Sequence, residues 1–180
     1  LFSSVPALVK DLLTQPNLHE FDISSLQRVS SGGAAMPSDL PGIIEAKIDQ
    51  AYASGGYGLT ETLAVGSQAA GAVFDAKPAA AGVQSPIMQV QCAAPDGTVL
   101  PTGEAGEIEM RGMACTLGYW NKPDANAAIL TEDGWMKTGD IGYVDDDGYL
   151  HVTGRIKDIV IRGGENIFPG DTEQACYQIE

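Results

Sequence analysis

The chain has 180 residues, with 24 acidic against 10 basic side chains, a formal net charge of −14 and 44% hydrophobic content. Such a length and apolar fraction suit one packed domain, or one and part of another, and exclude a disordered chain. The acidic excess excludes a nucleic-acid surface, which needs clustered Lys and Arg, and disfavours anionic membranes; an anionic small molecule would need local help from an Arg, a metal ion or oriented backbone N–H groups.

The longest small-residue stretch, Ala69–Gly82, is broken by Gly71, Asp75, Lys77 and Pro78, so no segment approaches the ~20 apolar residues of a membrane span. No signal-peptide pattern is visible at the start. Cys92, Cys115 and Cys176 are odd in number and far apart, which predicts reduced thiols in a cytoplasmic protein. With His19 and His151 as the only histidines, no zinc cluster is expected. The chain starts at Leu1, without Met, and stops at Ala175–Glu180 in what reads as the start of a helix; both ends are read as excised from something longer.

In chain order, Ser4-Val5-Pro6 reads as a helix start, with Ser4 as N-cap and Pro6 in the first turn. Val5, Leu8, Val9, Leu12 and Leu13 then follow at helical spacing. Residues 26–30 read as a short strand ending at Ser31-Gly32-Gly33-Ala34. A helix over about 39–49 is expected to turn Ile43, Ile44 and Ile48 inward, and a brief strand at 51–53 leads into Ser54-Gly55-Gly56-Tyr57-Gly58-Leu59-Thr60-Glu61-Thr62. That rhythm predicts an α/β class, with a parallel layer carrying Gly-rich loops at its strand ends. After Pro78 the pattern turns to strands near 87–92, 106–111 and 135–144, and Asp145-Asp146-Asp147-Gly148 predicts a hairpin turn into 149–153. One short helix is expected at 123–130, a last β segment at 158–162, and a helix from about Pro169 or Gly170. The expected organisation is residues 1–84 as the end of a larger α/β subdomain, 85–156 as a small β-barrel-like subdomain, and 157–180 as a hinge with the start of a further domain.

Four segments could carry chemistry. Small residues at Ser31-Gly32-Gly33-Ala34 would let a flat ligand lie against bare backbone, although a plain strand-to-helix turn reads the same way. Tyr57, Thr60 and Glu61 supply an aromatic face, a hydroxyl and a carboxylate, the parts that stack a base, bond a phosphate and hold Mg²⁺. The plainer alternative has Thr60 or Thr62 capping a helix, with Glu61 against its dipole. Asp140, in Lys137-Thr138-Gly139-Asp140, reads as a turn carboxylate, either structural or suited to ribose hydroxyls. The segment Gly154–Pro169 interleaves Arg155, Lys157 and Arg162 with an apolar strand, which by itself could be a charged edge strand.

In this order, the four segments resemble the adenylate-forming superfamily of acyl- and aryl-CoA synthetases, luciferases and peptide-synthetase adenylation domains, over essentially the whole chain. The signature loop is Tyr57–Thr62, followed by Gly118-Tyr119-Trp120-Asn121-Lys122-Pro123, Asp133-Gly134-Trp135 and Thr138-Gly139-Asp140. The resemblance implies that Tyr57 lies against adenine, with Gly32, Gly33 and Ala34 as nearby walls. It implies Thr60 on the α-phosphate, Glu61 on Mg²⁺, Asp140 and Arg155 on the ribose hydroxyls, Lys157 at a hinge, and Gly163, Gly164 and Glu165 along a channel for CoA. The implied reaction joins a carboxylic acid to AMP from ATP and then passes the acyl group to CoA.

Residues 159–169, Ile-Val-Ile-Arg-Gly-Gly-Glu-Asn-Ile-Phe-Pro, look more like an acyl-CoA ligase than a peptide-synthetase domain, and a fatty acid is the expected substrate. Alternatives are an aryl-acid or luciferase-like enzyme, a non-catalytic nucleotide-binding module, or a structural piece that forms an interface. Neither the superfamily's phosphate loop with its Lys nor its C-terminal catalytic Lys is present, so the isolated chain is expected to be inactive, and a homo-oligomer is conceivable. Gly170-Asp171-Thr172-Glu173 also departs from the superfamily's usual x-Glu-Ile-Glu, with Gly170 and Thr172 as poorer helix formers.

Overall fold

The computed structural model describes residues 1–34, 36–37, 39–162, 165–167 and 169. It separates into two compact units, Leu1–Ser85 and Pro86–Glu180, each treated by itself below.

The first unit runs β1 (Phe2–Ser4), α1 (Pro6–Leu13), β2 (Arg28–Ser31), α2 (Leu40–Lys47), β3 (Tyr52–Tyr57), β4 (Ser67–Ala70), α3 (Ala72–Ala76) and β5 (Val83–Gln84). Its sheet has the order β1-β2-β3-β4-β5; the first three strands are parallel and the last two join antiparallel. Helical spacing sets the core. Val9 and Leu13 of α1, Leu40 and Ile44 of α2, and Ile48 just beyond it pack with Val29 and Ala53 from the strands. Each such aliphatic side chain removed from water contributes roughly 1.5–3 kcal/mol. Ile43 lies at the edge of that cluster, partly buried.

Two local expectations change. Ser4 does not cap α1; it belongs to β1, pairs with Ser31, and its carbonyl accepts the Gly32 N–H at 3.3 Å. The helix starts from Val5, held extended (φ −72°, ψ 152°) as residues before proline are, with no side-chain cap. The strand expected over 51–53 is twice as long, because β4 folds back on Gly55-Gly56-Tyr57 and supplies a ladder that the Gly-rich pattern did not announce. The Ala-rich stretch that follows holds β4 and α3.

The second unit runs β6 (Met88–Ala93), β7 (Gly106–Gly112), α4 (Pro123–Ile129), β8 (Met136–Val144), β9 (Leu150–Arg155), a single 3₁₀ turn at Ile156–Asp158, β10 (Val160–Arg162) and β11 (Glu165–Ile167). The first four strands form an antiparallel meander, β6-β7-β8-β9, and β10 pairs with β11 separately. The meander is open among the described residues, with β6 and β9 at its edges, so the barrel-like expectation becomes a sheet that is not closed. Alternation buries Met88, Cys92, Ile108, Met110, Met136 and Leu150.

The Asp145–Gly148 hairpin forms as read. Asp145 Oδ1 accepts the N–H groups of Asp147 and Tyr149, each at 3.0 Å, and Oδ2 lies 2.8 Å from His151 Nε2. The His151 ring stacks on Tyr143 across the strands at 4.6 Å. The β10–β11 hairpin was not anticipated beyond its first strand. The helix expected beyond Pro169 falls on residues outside those described. No described helix is long and apolar enough to cross a membrane.

Candidate functional site

Within the first unit, the parallel strands β2 and β3 end at the two Gly-containing segments, the ends where open α/β sheets bind ligands. Gly32, Gly33 and Ala34 leave β2 directly, and Ala34 is exposed. Tyr57 ends β3, half-buried, and the chain then enters one tight 3₁₀ turn, Thr60–Thr62.

Three devices hold that turn. The Thr62 hydroxyl, fully buried, accepts the Leu59 N–H at 3.0 Å and donates to the Leu59 carbonyl at 3.1 Å. The Ala64 N–H also reaches the Leu59 carbonyl, at 2.8 Å. Leu63 and Ala64 both take left-handed backbone (φ 52° and 58°), an uncommon cost for non-glycine residues that tends to occur at functional loops. Close return of the chain also makes position 58 a glycine: a Cβ there would lie 2.5 Å from the Ala64 carbonyl carbon. The result leaves Thr60 exposed and Glu61 half-exposed on a pinned turn. Thr62 is the residue that builds this presentation; sequence reading saw it only as one of two possible helix caps. Thr62→Val is expected to lower stability by about 1–3 kcal/mol, since it leaves the Leu59 amide unpaired, and chemical denaturation would measure the loss.

Within the second unit, Asp140 is not on a free turn. It sits inside β8, is 6% exposed, and lies opposite Arg155 of β9. Arg155 Nε lies 3.3 Å from Asp140 Oδ1, with the arginine side chain 58% exposed. The neighbouring residues brace the backbone that carries the carboxylate. The Thr138 hydroxyl donates to the Ile108 carbonyl at 2.7 Å and accepts the Asp140 N–H at 3.1 Å, while the Gly139 N–H donates to Glu107 Oε1 at 3.1 Å. Register shifts in both ladders, at Glu107/Glu109 and at Ile141/Gly142, give β8 the irregularity that sequence reading took for a turn. Thr138 belongs to the Thr138-Gly139-Asp140 motif but carries no role of its own in the sequence reading, and Glu107 lies outside every motif; the signal for Glu107, a polar side chain on a neighbouring strand, is weak in isolation.

The structure therefore brings Asp140 and Arg155 together, and sets Tyr57, Thr60 and Glu61 along one strand end and turn. The two sets lie on separate units. Lys157 is exposed on the 3₁₀ turn after β9. Gly163 and Gly164 lie outside the described residues; Glu165 is described only as backbone, in β11, opposite Arg162.

Among the described residues no group of three or more His, Cys, Asp and Glu gathers as for a metal ion. Cys92 and Cys115 are free thiols. Burial pushes the Cys92 thiol up to about 11, and Cys115 is raised for the same reason, so neither is activated as a nucleophile. Cys176 lies outside the described residues.

Residues 1–120 match the family model described as AMP-binding enzyme. The chain belongs to the AMP-binding enzyme family. It is 39% identical to a feruloyl-CoA synthase of an Amycolatopsis species over 98% of its length, and 37% identical to a long-chain-fatty-acid–CoA ligase of Bacillus subtilis over 100%. It spans 35% and 32% of those two proteins, about a third of each. Among solved structures, the unliganded O-succinylbenzoate coenzyme A synthetase of Bacillus subtilis superposes with a TM-score of 0.84 at 31% identity, covering 98% of this chain and 37% of that one. An amide bond synthetase of Marinactinospora thermotolerans reaches a TM-score of 0.86 at 29% identity, covering 98% and 36%. These likenesses show an adenylate-forming α/β fold.

Proposed function

We propose that this chain is the adenosine-facing segment of an AMP-forming acid–thiol ligase, one that joins a carboxylic acid to AMP and passes the acyl group to CoA. The observation that carries the reading is the Asp140–Arg155 pair: a nearly buried carboxylate, on backbone held by the Thr138 hydroxyl, beside an exposed guanidinium. A carboxylate so placed accepts from both hydroxyls of a ribose, and the guanidinium donates to a ribose oxygen from the other side. Tyr57 is read as the adenine platform, with Gly32, Gly33 and Ala34 walling the base and acyl sites. Thr60 is read as an α-phosphate donor, held outward by the Thr62-pinned turn. Lys157 is read as the pivot between two conformations, and Gly163, Gly164 and Glu165 as lining for a pantetheine channel.

The single half-exposed carboxylate of Glu61 fits Mg²⁺, which commonly uses one or two protein carboxylates and takes its remaining ligands from water and phosphate. Bound there, the ion would neutralise charge on the phosphates. Within this chain, Thr60 orients the α-phosphate and Asp140 with Arg155 fixes the ribose, so the contribution is positioning rather than proton transfer.

A fatty acid is the substrate class we favour, supported by the Arg162-Gly163-Gly164-Glu165 pattern and the long-chain-fatty-acid relative. The feruloyl-CoA synthase likeness favours an aryl acid as the second reading. Calorimetric titration of the chain with AMP tests the adenosine site: saturable one-to-one binding is expected, and none would overturn the assignment. Carboxylate-dependent ATP–pyrophosphate exchange by these 180 residues alone is expected at background, and robust exchange would refute the reading that the segment supplies only part of the machinery.

A further inference from the structure

Strand β8 is longer than β7 where the two pass each other. Glu107 pairs with Ile141 and Glu109 with Lys137, so Ile108 alone faces Thr138, Gly139 and Asp140. A surplus of this kind interrupts the ladder and re-aims the side chains it carries. Toward β9, Asp140 keeps a regular rung with Arg155; toward β7 it has none. Side chains take over the displaced backbone groups, which need partners wherever they lie. The Thr138 hydroxyl donates to the Ile108 carbonyl and accepts the Asp140 N–H. The Gly139 N–H, at the apex, goes to Glu107 Oε1 at 3.1 Å. Packing does not hold that apex. Gly139 has left-handed backbone (φ 74°), and a Cβ built on it would meet nothing within 4 Å. The bond from Glu107 is therefore what ties the apex to the neighbouring strand.

We infer that Glu107 is a positioning residue for ribose recognition, although it touches no substrate itself. By holding the Gly139 amide it fixes the peptide immediately before Asp140, and with it the direction in which the Asp140 carboxylate is presented. An acceptor that must meet two hydroxyls at once gains from such preorganisation, because a small misplacement weakens both bonds. The inference rests on the adenosine-site reading given above. It assigns to Glu107 a role of reach and hydrogen-bond acceptance, not of charge, and that distinction makes it testable by two conservative changes.

The test is calorimetric titration of the chain with AMP and with dideoxy-AMP, which lacks both ribose hydroxyls. The parent should prefer AMP by about 10-fold or more, the worth of one hydrogen bond to a charged group. Glu107→Gln keeps a carbonyl acceptor at the same reach and should hold that preference to within about 3-fold. Glu107→Asp keeps the charge but withdraws the acceptor by about 1.5 Å, one C–C bond, beyond hydrogen-bond range of Gly139. Its preference for AMP should fall to about 3-fold or less. Both variants should melt within about 3 °C of the parent, because the half-exposed Gly139 amide can bond water instead. Adding Glu107→Asp to Asp140→Ala should cost no further preference, since Glu107 acts through Asp140. Parental preference in Glu107→Asp overturns the inference, as does its loss in Glu107→Gln or an additive loss in the double variant. Those outcomes strike Glu107 alone and leave the ribose reading standing. A parent that binds AMP and dideoxy-AMP alike removes the ribose site itself, and this inference with it.

Discussion

Asp140→Ala is expected to weaken AMP binding by about 10- to 100-fold while leaving the melting temperature of the chain within ~3 °C of the parent. The affinity loss follows from removing a charged acceptor for the ribose hydroxyls; 10- to 100-fold corresponds to the roughly 1.5–3 kcal/mol of one hydrogen bond to a charged group. The stability change is small because the ion partner, Arg155, is 58% exposed and rehydrates when left alone; exposed ion pairs contribute at most about 1 kcal/mol. Calorimetry and thermal melting separate the two effects. Asp140→Asn keeps one side-chain carbonyl acceptor for a ribose hydroxyl and should retain part of the affinity. Equal AMP binding by the parent and Asp140→Ala would remove Asp140 from the site.

Gly142→Ala is expected to produce the largest stability loss, about 3 kcal/mol or more, read as a fall of about 6–12 °C in melting temperature. A Cβ at this position collides with the backbone carbonyl oxygen of His151 and with the Ile108 side chain. Neither can withdraw cheaply: the carbonyl belongs to the β9 ladder, and Ile108 is fully buried. The collision falls at the register shift between Ile141 and Gly142, next to the Asp140–Arg155 rung. AMP affinity should therefore fall with stability, unlike in Asp140→Ala, and a variant of parental stability would show that the β8–β9 pairing is looser than its geometry indicates.

How these side chains meet was only partly legible in the amino-acid order. Helical spacing in α1 and α2, the proline and glycine punctuation, the Asp145–Gly148 hairpin and the order of the four motifs are local patterns. Each is set by backbone sterics and side-chain burial within a dozen residues, so the α/β class, most strands and the family resemblance could be read directly. Other features depend on partners distant in sequence. Ser4 became a strand residue because Ser31 pairs with it, and Gly55-Gly56 became strand because β4 returns along it. Asp140 is a buried strand residue rather than a turn residue because β7 and β9 flank it with shifted registers. The Thr62 pin lies between these cases. Its partner is three residues away, but two left-handed residues had to follow before the hydroxyl could close on Leu59.

What the sequence determined by itself is the residue types present at each motif and the family to which they belong. Only the tertiary structure decided which polar group each one faces: hydrogen-bond pairing between strands is non-local, and a shift of one residue in register turns a side chain to the opposite face.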